Sequence, residues 1–123
     1  MSVTTKRAYE PPETDDGYRV LVDRVWPRGI TKQALHIHGW YRDLAPTSAL
    51  RMWFNHDPAK WPGFRRRYLR QLHSQNAELQ LRELAAIARH QNLTLVYGAR
   101  DTEHNQAAVL REYLLQLHPG KAS

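Results

Sequence analysis

The chain has 123 residues, 41% of them hydrophobic, with four Trp and no Cys. That length suits one domain, residues 1–123, able to bury a core of its own, and the aromatic content excludes a disordered chain. The absence of Cys excludes disulfides, thiolate zinc sites and a cysteine nucleophile together. The net charge is +6, and Arg outnumbers Lys 14 to 4. Guanidinium groups fork onto carboxylate or phosphate with two parallel bonds, so small anions and nucleic acid are the partner classes this balance admits. No stretch of the opening MSVTTKRAYEPPE has the apolar run of a signal peptide. No run of about 18 apolar residues follows it, so no membrane partner is expected and the cytoplasm is the expected compartment.

In chain order, Val3 to Tyr9 reads as an edge strand, and Pro11, Pro12, Asp15, Asp16 and Gly17 as a turn cluster. Tyr18 to Asp23 is β-rich and apolar at its centre, as expected of a strand buried on both faces. Trp26 precedes Pro27 and should be extended, while Gly29 permits a positive φ and a sharp turn. Thr31 is a candidate cap for a short helical turn, and Ile37 to Leu44 favours a short strand over a helix. Pro46, Thr47 and Ser48 start a short helix with Leu50, Trp53 and Phe54 on its apolar side. Asp57 caps the next helix, with Pro58 in its first turn and Trp61, Phe64, Tyr68 and Leu72 as its stripe. Gln75 or Asn76 marks a break before a helix carrying Leu79, Leu84, Ile87 and Ala88. Leu93 to Gly98 is a second buried strand. A last helix from about Glu103 turns Ala107, Leu110, Leu114 and Leu117 inward and stops at Pro119 and Gly120. Residues 1–2 and 119–123 are expected to be flexible.

Strands interleaved with helices predict an α/β fold: a small three-layer, mainly parallel sheet of about three or four strands flanked by about four or five helices. Such sheets place ligands outside the carboxyl ends of their strands. Those ends carry DRVWPRG and ARDTEHN, and the two loops meet if their strands are parallel neighbours. In the first loop, Arg24 and Arg28 offer an anion clamp, Asp23 a carboxylate and Trp26 an apolar wall; the competing reading pairs Asp23 with an arginine and packs Trp26 in the core. In the second, Asp101 or Thr102 caps the helix, leaving Arg100, His104 and Asn105 for a ligand. His104 is the candidate catalytic acid or base, since imidazole is suited to proton transfer near neutral pH. Arg51, Arg65 and Tyr97 complete the candidate pocket.

Other features explain themselves more simply. His36 and His38 share one face of an extended chain but lack a third ligand, so no metal or other cofactor is expected. The run RRRYLR places Arg66, Arg67 and Arg70 opposite the apolar stripe, a solvated face first and a phosphate-binding face second, while Arg65 lies near the stripe and can reach inward. Asp57 beside His56 is accounted for as a cap. No glycine-rich phosphate loop, nucleophile elbow or metalloprotease pair is present.

Three stretches, GYRVLVDRVWPRG, LAPTSALRMWFNHDPAKWPGFRRRY and LTLVYGARDTEHNQAAVL, run in order from about Tyr18 to Leu114. Through them the chain resembles the YeaO-like branch of the domain of unknown function 488. The resemblance implies a small cytoplasmic bacterial α/β protein and supplies no reaction. Longer relatives carry a D-x-E-H-C-H-R motif, which Asp101, Glu103 and His104 match, but Asn105 replaces its cysteine. Thiol or metal chemistry of such a cysteine does not carry over, although Asn105 keeps hydrogen-bonding capacity.

The leading expectation is therefore a small-anion site at the two loops with Arg24 and Arg28 foremost, open to enzymatic use through His104. A nucleic-acid-binding protein using the Arg65–Arg70 run and a protein-interaction module without chemistry are the competing readings. No oligomeric state is legible.

Overall fold

The structure is a computed structural model, and it describes residues 2–117. Four strands form one parallel sheet: β1 (Val3–Arg7), β2 (Tyr18–Leu21), β3 (Gly39–Trp40) and β4 (Leu93–Tyr97). Their order is β1-β4-β2-β3, so β4 and β2 are the central neighbours, paired from Tyr18 opposite Leu93 to Leu21 opposite Val96. Their residues are the continuous apolar runs: every residue of β4 is buried, and Val20, Leu21 and Val22 are fully so. β1 is an edge strand, as its mixed composition predicts, and stops at Arg7 rather than Tyr9. Only two residues of the segment from Ile37 to Leu44 pair as β3, and Arg42–Leu44 turns into a short 3-10 helix.

Among the described residues five helices accompany the sheet: α1 (Lys32–Leu35), α2 (Ser48–Phe54), α3 (Trp61–Leu72), α4 (Gln75–Ala88) and α5 (Gln106–Leu117). They are shared unequally. Val20, Val22, Leu93, Leu95 and Tyr97 project to the face packed by α2–α5, where Phe64, Tyr68, Leu72, Leu81, Leu84, Leu110 and Leu114 fill the main core. The alternate residues Leu21 and Val96 face a smaller cluster with Ala8 and Leu35 of α1, joined by Trp26 and Ile30. The period-2 alternation of strands produces these two layers.

Local signals account for the helix boundaries. Thr31, Thr47 and Ser74 accept from Ala34, Leu50 and Ala77 amides as N-caps of α1, α2 and α4, and Asp57 accepts from Ala59 in the turn leading into α3. The break before α4 thus lies at His73–Ser74. Two residues expected to face inward do not: Leu79 is 67% exposed and Leu117 is 38% exposed. Leu81 and Ala85 take the inward positions of α4 instead, because its buried side follows Ala77, Leu81, Leu84 and Ala88. α5 begins at Gln106, not near Glu103. Ser2 is tied to the sheet, its carbonyl accepting the Leu93 amide at 2.8 Å. The expected helix stop at Pro119–Gly120 and the expected flexibility of residues 1 and 119–123 lie outside the described residues.

Candidate functional site

Because β2 and β4 are parallel neighbours, their two following loops meet. Asp23, just past β2, accepts the Gly98 amide on Oδ2 at 2.8 Å, and its Oδ1 accepts from the Gln106 carboxamide at the first turn of α5. Gly98 leaves room for this approach: a Cβ there would lie 2.9 Å from Asp23 Oδ2 and push the carboxylate away. Burial pushes the Asp23 carboxyl up to about 6, against the opposing pull of the Gly98 amide, the Gln106 side chain and the charge of Arg51.

Above this joint opens a cleft of about 400 Å³. Loop 23–27, the end of α2 with residues 55–56, and loop 98–106 surround it, over Phe54, Phe64 and Pro46. Its mouth includes the exposed side chains of Val25 and Met52. Asn55 and His56 both line it with positive φ, 47° and 56°, a pair of left-handed non-glycine residues that ends α2 abruptly.

The arginines at these loops are not equivalent. Arg24 spends its guanidinium on the chain, Nε donating to the Pro46 carbonyl and NH2 to the Ala45 carbonyl, each at 3.0 Å. It builds the cleft wall. Arg28 is exposed beyond the cleft lining, and its carbonyl accepts the Tyr9 hydroxyl. Gly29 beside it has φ 76°, the sharp turn expected there. Arg100 is exposed and also outside the lining. Arg65 pairs with Glu112 of α5 at 2.5 Å, in a different groove. Arg51 alone of these lines the cleft with no hydrogen bond or ion pair from its guanidinium among the described residues.

Trp26 lines the cleft, donates Nε1–H to the Ile30 carbonyl at 2.7 Å and meets the Trp40 ring edge-on at 5.5 Å. Tyr97 is a core residue, 2% exposed, whose hydroxyl burial pushes above its ordinary range.

In the second loop Asp101 does not cap a helix. Its carboxylate accepts the His104 and Glu103 amides, each at 2.9 Å, and these two donors hold it below the usual carboxylate range. The same carboxylate lies 2.9 Å from Nδ1 of His104, whose ring stands edge-on to Trp61. The cap of α5 is Asn105: Oδ1 accepts the Ala108 amide at 3.0 Å while Nδ2 donates to the Asp101 carbonyl at 2.9 Å. Asparagine's preference for this position was the signal available, overshadowed by Asp101 and Thr102 upstream. Gln106, a contact of Asp23, carried no signal that separates it from an ordinary first-turn polar residue.

The structure therefore gathers Asp23, Arg24, Trp26, Arg51, His104 and Asn105 at one cleft, and leaves Arg28, Gly29, Arg65, Tyr97, Arg100 and the candidate ligand contact Asp101 outside its lining. Among the described residues no three His, Asp or Glu side chains could jointly hold a metal. The His36 and His38 rings are 6.4 Å apart and perpendicular, and Nδ1 of His38 accepts the Arg19 amide.

A family model described as the inactive DUF488-N3 subclade matches residues 2–121. The chain belongs to this subclade. It is similar to the uncharacterized protein YeaO of Escherichia coli (strain K12), 42% identical over 117 residues that cover 95% of this chain and 100% of the relative. It is 39% identical over 112 residues, 91% of this chain and 92% of each relative, to the uncharacterized proteins Rv3073c of Mycobacterium tuberculosis and Mb3100c of Mycobacterium bovis. No solved structure matches. Membership agrees with the resemblance carried by the three loop-and-helix stretches. Among the described residues no helix is long and apolar enough to cross a membrane.

Proposed function

We propose that this member of the inactive DUF488-N3 subclade binds a small phosphate- or carboxylate-bearing ligand in the cleft at the carboxyl ends of β2 and β4, in the cytoplasm, without covalent chemistry. The observation that carries the reading is Arg51: a guanidinium lining the cleft, near the Asp23 charge, with no hydrogen bond or ion pair among the described residues. Arg24 supports it indirectly by fixing the Ala45–Pro46 wall. The apolar floor and the Val25–Met52 mouth suit a ligand with a hydrocarbon or ring portion beside its anion. Asn105 serves the cleft as a support, its carboxamide oxygen engaged by the cap and its amino group by the turn. His104, held by Asp101, serves in this reading as a ligand contact.

The test is thermal-shift and calorimetric titration with phosphate, citrate and a panel of phosphorylated and carboxylated metabolites. At least one should stabilise the protein and be recovered unchanged. Arg51→Ala should weaken it tenfold or more, and Arg28→Ala should leave it bound. A ligand bound equally by Arg51→Ala overturns the assignment, and a ligand recovered as product replaces binding by acid–base turnover.

A further inference from the structure

Along α3 lies a second, shallower groove of about 670 Å³, which adjoins the cleft at Trp61 through the His104 ring. Trp61, Arg65, Arg66, Leu69, Arg70 and His73 line it, two adjacent rows along almost the whole helix. We propose that this groove is a binding site for single-stranded nucleic acid, with the guanidiniums of Arg66 and Arg70 on its phosphates and the groove floor receiving its bases.

Charge and shape together carry the inference. Arg66, Arg67 and Arg70 are exposed and make no ion pair among the described residues. Arg66 and Arg70 are one helical turn apart on the groove rim, about 6 Å at Cβ, a regular charge spacing along the helix. The Arg67 guanidinium carbon lies over the Trp53 ring at 4.1 Å from its centroid, and the Lys60 ammonium lies over the same ring at 5.2 Å. Cationic character thus continues around α3 toward α2.

The groove is more than a charged surface. Trp61 and Leu69 are half-buried in its floor, and the exposed His73 sits at one end with its ring against Tyr113 of α5. One half-buried indole, stacked on Phe64 at 5.6 Å on its inner side, and arginines on the rim are the elements with which sequence-tolerant sites hold unstacked bases. A duplex keeps its bases inside and cannot use such a floor. An acidic helical peptide fits less well. The Arg65–Glu112 pair sets two charged groups between α3 and α5, where an amphipathic partner needs an apolar trough.

Fluorescence anisotropy with labelled twelve-nucleotide oligothymidylate, oligouridylate and an oligoglutamate peptide tests this. Two phosphate contacts predict that oligonucleotide affinity falls about sevenfold between about 50 mM and about 200 mM salt. Arg66→Glu with Arg70→Glu should weaken binding at least tenfold, and the milder pair of alanine substitutions less. Arg82→Glu with Arg89→Glu makes the same charge change at exposed positions on α4 and its C-cap, and should leave affinity within twofold. Arg51→Ala should also leave it unchanged, which separates this site from the cleft. No oligonucleotide binding at the lower salt, equal loss in the α4 pair, or tighter binding of the peptide each overturns the proposal.

Discussion

Asp23 Oδ2 and the Gly98 amide meet at 2.8 Å, and this one bond joins the loop after β2 to the loop after β4. It also leaves a carboxylate between loops where water is scarce. Burial raises its proton affinity to about 6, so the folded state binds a proton more tightly than the unfolded chain. The sign follows. Between the unfolded value near 3.8 and the folded value near 6, the native state holds more protons, and stability falls as pH rises. Asp23→Asn removes this dependence. Relative to the variant, the native protein should lose on the order of 2–3 kcal/mol between about pH 4 and about pH 7. Urea unfolding of both proteins across that range checks it, and a constant difference would refute it.

The two cleft arginines should separate cleanly. Arg24→Ala removes two charge-assisted bonds to Pro46 and Ala45 carbonyls and should cost about 2–3 kcal/mol. Arg51→Ala, exposed and without partners among the described residues, should stay within about 0.5 kcal/mol of the native protein. Chemical denaturation of the two variants reads the difference directly. Equal destabilisation would mean that Arg51 is structural and would weaken the binding proposal at its source.

This contrast also marks how far the sequence was legible. The β2 and β4 runs are apolar enough to announce buried central strands, and their parallel pairing is what brings the two loops together. The Phe64, Tyr68 and Leu72 stripe is as buried as its spacing predicts. Which arginine remains available was not legible. Arg24 is consumed by carbonyls of Ala45 and Pro46, more than twenty positions away, and nothing in DRVWPRG encodes where those carbonyls fall. The start of α5 lies three residues later than the sequence predicts, for a local reason. Asp101 and Asn105 both satisfy capping chemistry, and only the geometry assigns the turn to one and the helix to the other.

Asn105 now has a measurable task. It is 2% exposed and makes one bond as acceptor and one as donor. Asn105→Ala should cost about 2 kcal/mol through the lost cap, with an unsatisfied Asp101 carbonyl adding to it. Asn105→Asp keeps the acceptor for Ala108 and should cost less. Thermal unfolding of the two variants ranks them, and an alanine variant as stable as the native protein would show that water replaces the carboxamide without cost.

At the opposite end of the sheet, Asp16 shows the reverse pH sign from Asp23. Burial alone would raise its carboxyl, but the Glu13 amide, Lys6 and Arg19 outweigh that effect and hold it below the ordinary range. Its partner Arg19 is 2% exposed, donates NH1–H to Asp16 at 2.7 Å, NH2–H to the Leu35 carbonyl at 2.8 Å and Nε–H to the His36 carbonyl at 3.2 Å. Asp16→Ala strands that guanidinium inside the protein and should cost about 3–5 kcal/mol at neutral pH. Because the folded carboxyl is depressed, its stabilisation is complete above the unfolded value of 3.8 and disappears as pH falls through the folded one. The gap between native protein and variant should therefore be flat from about pH 8 to about pH 5 and close below about pH 4. Unfolding free energies measured down that range test both halves. A gap that widens in acid would place the charge of Arg19 under the care of another group.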